Sequence, residues 1–234
     1  MRRPLIVAAA QPAIVPGEVE RNAIAHAEMV RAADARVVVF PELSLTGYEL
    51  GADPVSPADA ALSPLVEACA EAGSLALVGA PVRDETGRDF IAMLCVEGTG
   101  AEVCYRKTWL GGSEAERFSP GGAPGLLDVD GWHIGLGICK DTGAPRHVAA
   151  TATMAVDAYF AGLVHLPEEL AEQEARGFVI SRTCRAWVVF ASFAGPTGDG
   201  FTETAGTSTV WSPEGKVLAR AGREVGGVAR ASIG

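Results

Sequence analysis

The 234-residue sequence predicts an α/β fold built as one unit with two sheet-forming halves, strands packed within and helices outside. Two observations carry this. Short apolar runs alternate with stretches of helical periodicity near the start and again from Trp132 onward. Between those halves, two apolar runs are joined by the turn Gly98-Thr99-Gly100 rather than by a crossover, which makes an antiparallel pair and a mixed sheet.

Taken in order, Leu5 to Ala10 is a first buried strand, closed by Gln11-Pro12. Val19, Ala23, His26, Val30 and Ala33 then recur at steps of four and three, the stripe of a helix ending near Asp34-Ala35, with His26 a histidine at the edge of the core. Val37 to Phe40 is a central strand that stops at Pro41. An alanine-rich helix is expected over Pro57 to Ala72, capped by Gly73, followed by a strand over Leu75 to Ala80. Phe90 to Glu97 and Val103 to Lys107 form the meander.

From Trp132 the alternation resumes: a strand to Cys139, a helix over about Pro145 to Val156, a strand over Ala158 to Val164, a helix over about Pro167 to Ala186, and a strand over Val188 to Phe193. Thr207 to Trp211, Val217 to Arg220 and Gly227 to Ala231 are short closing strands, the first two joined by Pro213-Glu214-Gly215. No linker or low-complexity run divides the chain, so residues 1–234 read as a single domain.

A formal net charge of -10 provides no basic field to collect phosphates, which argues against nucleic acid or an anionic membrane as partner and for a small molecule. The apolar run near the N-terminus, Leu5 to Ala10, is shorter than the roughly seven residues a signal peptide needs and far short of a span of about 20. Cys69, Cys95, Cys104, Cys139 and Cys184 make no CxxC and leave an odd one over, so reduced thiols in the cytoplasm are expected, with neither a disulfide framework nor a zinc site.

Three polar residues stand where apolar strands end: Glu42 after VVVFP, Lys107 after VCYR and Cys139 after IGLGI. Side chains just past strand ends converge at one rim, where ligands bind. A thiol of ordinary pKa, about 8.5, is a few per cent thiolate at pH 7 and needs a base. Glu42, desolvated in a closed pocket, suits that role, and Lys107 suits an oxyanion. Cysteine, acid and lysine together describe acyl transfer. A cysteine–histidine hydrolase using His133, His147 or His165 is the chemical rival.

FPELSLTGY at 40–48, YRKTWL at 105–110 and GLGICKD at 135–141 resemble, in order and spacing, the nitrilase superfamily of carbon-nitrogen hydrolases. The likeness runs from AAAQP near the start, through Asn22, to WSPEGKVLARAG near the end. It implies a four-layer α-β-β-α sandwich of two mixed sheets packed face to face, no metal or other cofactor, and a catalytic set of Glu42 as base, Lys107 as electrostatic stabiliser and Cys139 as nucleophile. The backbone N–H of Lys140 matches the second oxyanion donor. EAERFSPG at 114–121 is similar to the segment carrying a second glutamate, and counting back six residues from Pro120 selects Glu114 over Glu116.

Substrate contacts are expected from Tyr48, Trp109, Lys140 and His165. The implied reaction is hydrolysis of a small amide to carboxylate and ammonia, with a nitrile or an N-carbamoyl compound as alternative substrates. Lys140-Asp141 stands where nitrilases proper commonly have Trp-Glu after the nucleophile, which favours the amide. A non-catalytic binding or scaffold protein of the same fold is the alternative from a different class. The chain departs from the family pattern at Gly143 and Arg146, where an arginine and a glutamate are common, and at Arg185 and Ala186, where an acid-Asn pair is usual. Those helices form the family's usual dimer interface, so the homodimer the resemblance implies has an altered contact.

Overall fold

Along the first strand, β1 (Leu5–Ala10), side chains alternate between two cores, as a pleat requires: Val7 and Ala9 point one way, Ala8 and Ala10 the other. The second set packs on a helix layer made by α1 (Val19–Ala33) and α2 (Ser63–Ala72); the first set meets a second sheet. A computed structural model describes residues 2–234, and this alternation organises all of them.

The remaining elements are β2 (Val37–Val39), β3 (Leu75–Arg83), β4 (Asp89–Glu97), β5 (Gly100–Arg106), β6 (Gly125–Val129), β7 (Trp132–Ile138), α3 (Pro145–Thr153), β8 (Ala158–Leu163), α4 (Leu170–Cys184), β9 (Trp187–Ser192), β10 (Thr209–Trp211), β11 (Val217–Arg220) and β12 (Val228–Ile233). They form two six-stranded sheets, ordered β12-β1-β2-β3-β4-β5 and β11-β10-β9-β8-β7-β6. Each has three parallel strands at its centre, β1-β2-β3 and β7-β8-β9, with antiparallel neighbours on both sides.

Between the sheets lies a core that includes Val39, Leu77 and Met93 from one side and Ile134, Leu136, Phe160 and Val189 from the other. Tyr159, Ala161 and Leu163 alternate out of it, onto Val148 of α3 and Ile180 of α4. The result is the four-layer α-β-β-α sandwich. Each sheet is covered on both faces, by the other sheet and by a helix layer, which is why the central strands read as continuous apolar runs.

Differences from the sequence reading are local. The helix expected from Pro57 begins as a 3-10 turn at Ala60–Leu62, and Gly73 caps it in the left-handed conformation with its N–H on the Cys69 carbonyl. The helix expected over Pro167 to Ala186 likewise opens as a 3-10 turn, Pro167–Glu169, and ends at Cys184; α3 stops at Thr153, short of Val156. β6 had no expectation, because Leu126 and Leu127 sit in a Gly- and Pro-bounded segment with little periodicity. The closing strands separate: β10 and β11 extend the second sheet, while β12 returns to the first and pairs antiparallel with β1.

Candidate active site

Glu42, Lys107 and Cys139 follow β2, β5 and β7. β5 is antiparallel to β4 and β4 to β3, so β5 runs in the direction of β2, and Glu42 and Lys107 emerge on one edge of the first sheet. Cys139 ends the strand that faces them from the second sheet, at the carboxyl end of a parallel set.

The loop carrying Glu42 is clamped between the sheets by two glycines. A Cβ on Gly79 in β3 would lie 2.2 Å from Leu43 N and 2.7 Å from Pro41 O; one on Gly162 in β8 would lie 2.6 Å from Phe40 O and 2.9 Å from Glu42 N. Neither position has room for a side chain, so backbone packs on backbone. Leu43, at φ 52°, turns the chain just after the glutamate. Behind it His26 is fully buried, its Nε2 2.9 Å from Ser44 Oγ and its ring against Phe40 at 4.2 Å, and burial lowers its pKa to about 4. It is a neutral core histidine supporting the loop.

Lys107 Nζ donates to Glu42 Oε1 at 2.6 Å and to Glu114 Oε1 at 2.7 Å, all three side chains being buried. The Tyr48 hydroxyl donates to the same Glu114 oxygen at 2.7 Å, and Gly111 N–H donates to the other. Glu114 is thus held from both sides, whereas Glu116 is exposed. Glu42 Oε2 is buried with no hydrogen-bond partner among the described residues.

One ammonium between two carboxylates is a net anionic cluster, and the titration behaviour follows. Burial raises Glu42 to about 7 against the opposing attraction of Lys107, with Glu114 pushing the same way as burial and the Cys139 thiol weakly lowering it. Burial disfavours the Lys107 ammonium, but Glu42, Cys139 and Glu114 outweigh it and the pKa rises. Burial also opposes ionisation of Glu114, yet Lys107 and the donors from Gly111 and Tyr48 hold its pKa below the ordinary value. For Cys139, burial and then Glu42 push the thiol up to about 12, Lys107 partly offsetting them. At neutral pH the sulfur is protonated, the lysine charged, and Glu42 poised to take a proton.

Cys139 has φ 40°, the left-handed region that a non-glycine residue enters at a cost of about 1–3 kcal/mol. There the strand turns abruptly into the 3-10 turn Cys139–Gly143, and the thiol contacts the Val164 carbonyl at 3.4 Å. Asp141, fully buried, locks this elbow. Its Oδ1 accepts from Thr108 N and Oγ1 and from Trp109 N; its Oδ2 accepts from the Tyr105 hydroxyl and Ile138 N. One carboxylate thereby ties the segment after Lys107 to the strand end that carries Cys139. In the sequence it read as half of a polar pair; five donors meeting on it is a fact of tertiary structure.

The carbon-nitrogen hydrolase profile matches residues 6–234. The chain belongs to this family. Among curated relatives, a hydrolase encoded in the pqqF 5′ region of Pseudomonas protegens is 30% identical over 237 residues, covering 95% of this chain and 79% of that protein. An (R)-stereoselective amidase of a Pseudomonas species is 29% identical over 206 residues, covering 82% and 71%. In fold, this carbon-nitrogen hydrolase superposes on Saccharomyces cerevisiae Nit3, of branch 10 of the nitrilase superfamily, with TM-score 0.86 at 20% identity, covering 99% and 90% of the two chains. A mutant of the amidase from Nesterenkonia sp. AN1, bearing the acetamide moiety of fluoroacetamide at its active site cysteine, gives 0.83 at 22% identity, covering 98% and 90%.

The four residues expected to contact substrate adjoin the site: Tyr48 through Glu114, Trp109 through Asp141, Lys140 as the residue after Cys139, and His165 as the residue after Val164. Tyr48 N–H donates to Thr197 Oγ1, and its ring meets Phe201 edge-on at 5.1 Å. Trp109 and Lys140 are exposed, the lysine Nζ donating to the Leu110 carbonyl at 2.7 Å. His165 is buried, with Nδ1 3.1 Å from Gln173 Oε1 and Nε2 3.2 Å from Arg176 Nη1; the guanidinium donates to Nε2, so the proton is on Nδ1. Burial, then Arg176, lower its pKa. His133 is exposed beside Asp128, and His147 is engaged with Thr108 and Tyr159, so neither is disposed as a base for Cys139. Among the described residues no group of three or more His, Cys, Asp or Glu is arranged to hold a metal.

Proposed function

We propose that this carbon-nitrogen hydrolase cleaves a small amide to a carboxylate and ammonia through a thioester on Cys139. The observation that carries the reading is the buried Glu42–Lys107–Glu114 cluster beside a protonated thiol, with one oxygen of Glu42 unpartnered and its pKa near 7. As sulfur bonds to the carbonyl carbon, Glu42 accepts the thiol proton. The oxyanion is met by Lys107 Nζ and the backbone N–H of Lys140, which opens the turn after the nucleophile and has no intrahelical acceptor. Glu42 passes the proton to the amide nitrogen as the C–N bond breaks, and ammonia leaves. Water then adds to the thioester carbon, giving its proton to Glu42; the C–S bond breaks, the acid leaves as carboxylate, and the thiol recovers its proton.

Glu114 acts through Lys107, as a positioning residue. With Glu42 able to be neutral or charged near pH 7, a fixed carboxylate on the other side keeps the ammonium oriented in both states. The amide preference is supported by the amidase relatives and by Lys140-Asp141 after the nucleophile. The test pairs an amide and a nitrile of one carbon skeleton, following ammonia release and the mass of the Cys139 peptide. Ammonia from the amide with a transient acyl mass is expected. Nitrile turnover faster by about tenfold, a difference of about 1.4 kcal/mol in barrier, reverses the substrate class; no product from any pair points to a binding protein.

A further inference from the structure

Cys139 ends a strand in which Ile134, Leu136 and Ile138 face the core between the sheets, so Gly135 and Gly137 face outward, toward α3. What they admit there is polar. A Cβ on Gly135 would stand 2.8 Å from Thr151 Cγ2, and one on Gly137 would overlap the Tyr159 hydroxyl. That phenol, fully buried, lies in the slot the glycines leave, its oxygen 3.1 Å from Nε2 of His147 in the first turn of α3. His147 is buried too, and its Nδ1 is 3.3 Å from Oγ1 of Thr108, the residue after Lys107. Neither Tyr159 nor His147 has a part in the acyl transfer.

Counting protons shows what the imidazole does. The Tyr105 hydroxyl is 2.7 Å from Asp141 Oδ2, the Thr108 hydroxyl is 2.9 Å from Asp141 Oδ1, and the two hydroxyls are 2.9 Å from each other. Two hydroxyl protons cannot serve three contacts. A carboxylate is the stronger acceptor, so both protons point at Asp141 and Thr108 Oγ1 is left with lone pairs only. His147 supplies the missing donor from Nδ1, and its Nε2 then accepts from the Tyr159 hydroxyl. Burial lowers the His147 pKa, against Asp141 and the Leu136 carbonyl, which fits a neutral ring with one proton to place.

We infer that His147 is a positioning residue: by directing the Thr108 hydroxyl at Asp141, it fixes the segment that carries Lys107 against the strand end that carries Cys139. The inference deepens the amide reading and rests on it. Lys107 Nζ lies 2.6 Å from Glu42 and 2.7 Å from Glu114, so a small drift of the segment acts twice. It takes the ammonium off the oxyanion, and it weakens the attraction by which Lys107 lowers the Glu42 pKa.

The experiment follows the rate of Cys139 alkylation by iodoacetamide, read by peptide mass from about pH 5.5 to 8.5, beside kcat and KM for a small amide. His147→Leu is expected to slow alkylation and kcat by about tenfold with little change in KM, and to move the acid limb of the alkylation profile to higher pH. His147→Asn keeps an N–H near the Nδ1 position and is expected to restore most of both. Thr108→Val removes the receiving oxygen, so adding His147→Leu to it should cost nothing further. Losses that multiply in the double variant, an Asn variant no better than Leu, or an unmoved acid limb overturns the inference and leaves the amidase reading standing. If the wild type hydrolyses no amide, it is the amidase reading that fails, and alkylation decides the role of His147 by the same criteria. Should His147→Leu not fold cooperatively, Tyr159→Phe takes its place: removing that one oxygen is expected to give a smaller loss and the same shift of the limb, and a wild-type rate and profile overturns the inference.

Discussion

Gly162→Ala adds one methyl group at a position the sequence alone would never flag, because a glycine in an apolar strand looks replaceable. In the fold that Cβ would stand 2.6 Å from Phe40 O, 2.8 Å from Pro41 C and 2.9 Å from Glu42 N. Ordinary contact begins at 3.4 Å, so the loop must withdraw by up to 3.4 − 2.6 = 0.8 Å. All three atoms are backbone, and no rotamer change relieves them. Overpacking of this kind costs about 1–3 kcal/mol, which a domain with about 5–15 kcal/mol of stability survives. Glu42 does not escape so lightly. Its bond to Lys107 is 2.6 Å long, and a displacement near 1 Å at a reacting group costs about 10²-fold in rate. The expected result is a cooperative unfolding transition lowered by about 2–12 °C, together with about a hundredfold fall in kcat for the amide. Wild-type kcat in a correctly folded Gly162→Ala protein would refute the claim that this glycine sets the position of Glu42, the proposed base.

Further expectations can be checked alongside. Cys139→Ala abolishes turnover and acyl-enzyme formation while leaving a cooperative fold, and more than a few per cent residual activity in pure protein removes the nucleophile assignment. In the proposed mechanism Glu42 accepts the thiol proton only when ionised, so kcat/KM is expected to fall as pH drops below about 7. The same shift has a stability consequence of opposite sense. The folded-state pKa lies above the usual 4.5, so the folded chain binds the extra proton between about 4.5 and 7, and stability is lost as pH rises through that window. The difference in Tm between wild type and Glu42→Gln, followed from pH 4 to 8, should show this slope; a flat difference counts against it. Asp141→Asn replaces one acceptor oxygen with a donor facing donors, at a cost of about 1–3 kcal/mol, and should lower both Tm and kcat; a variant with both unchanged shows that the elbow is held by other contacts.

The periodicity of the chain announced most of the elements, because burial on both faces leaves an unbroken apolar run in a central strand and a stripe in a helix. Leu5–Ala10, Val217–Arg220 and the α1 stripe emerge with the expected bounds or within a residue or two. Glu42, Lys107 and Cys139 were legible for a related reason: each is a reactive residue placed directly after an apolar run, which is a local signature. Glu114 was singled out only through the likeness of its segment to a family motif, counted back from Pro120, and the structure sets it beside Lys107. β6 was not, since its side chains are half exposed and carry no period, and nothing local distinguishes a strand that stays with β10 and β11 from one, β12, that crosses back to β1.

What the sequence determined by itself, then, was local: which segments bury one face or two, where each strand stops, and which reactive side chain stands at that stop. Tertiary structure alone decided how those stops meet. Gly79 and Gly162 come from different sheets, and only their packing shows that both must lack a side chain to hold Glu42 between them. Asp141 gathers donors from residues about thirty positions apart, and Gly143 admits an arginine from α4 to the edge of the site. Periodicity records whether a residue is buried, which is a property of one position; a clamp, a lock or a charge cluster is a property of distances between positions, and distance across a fold is not written in their spacing along the chain.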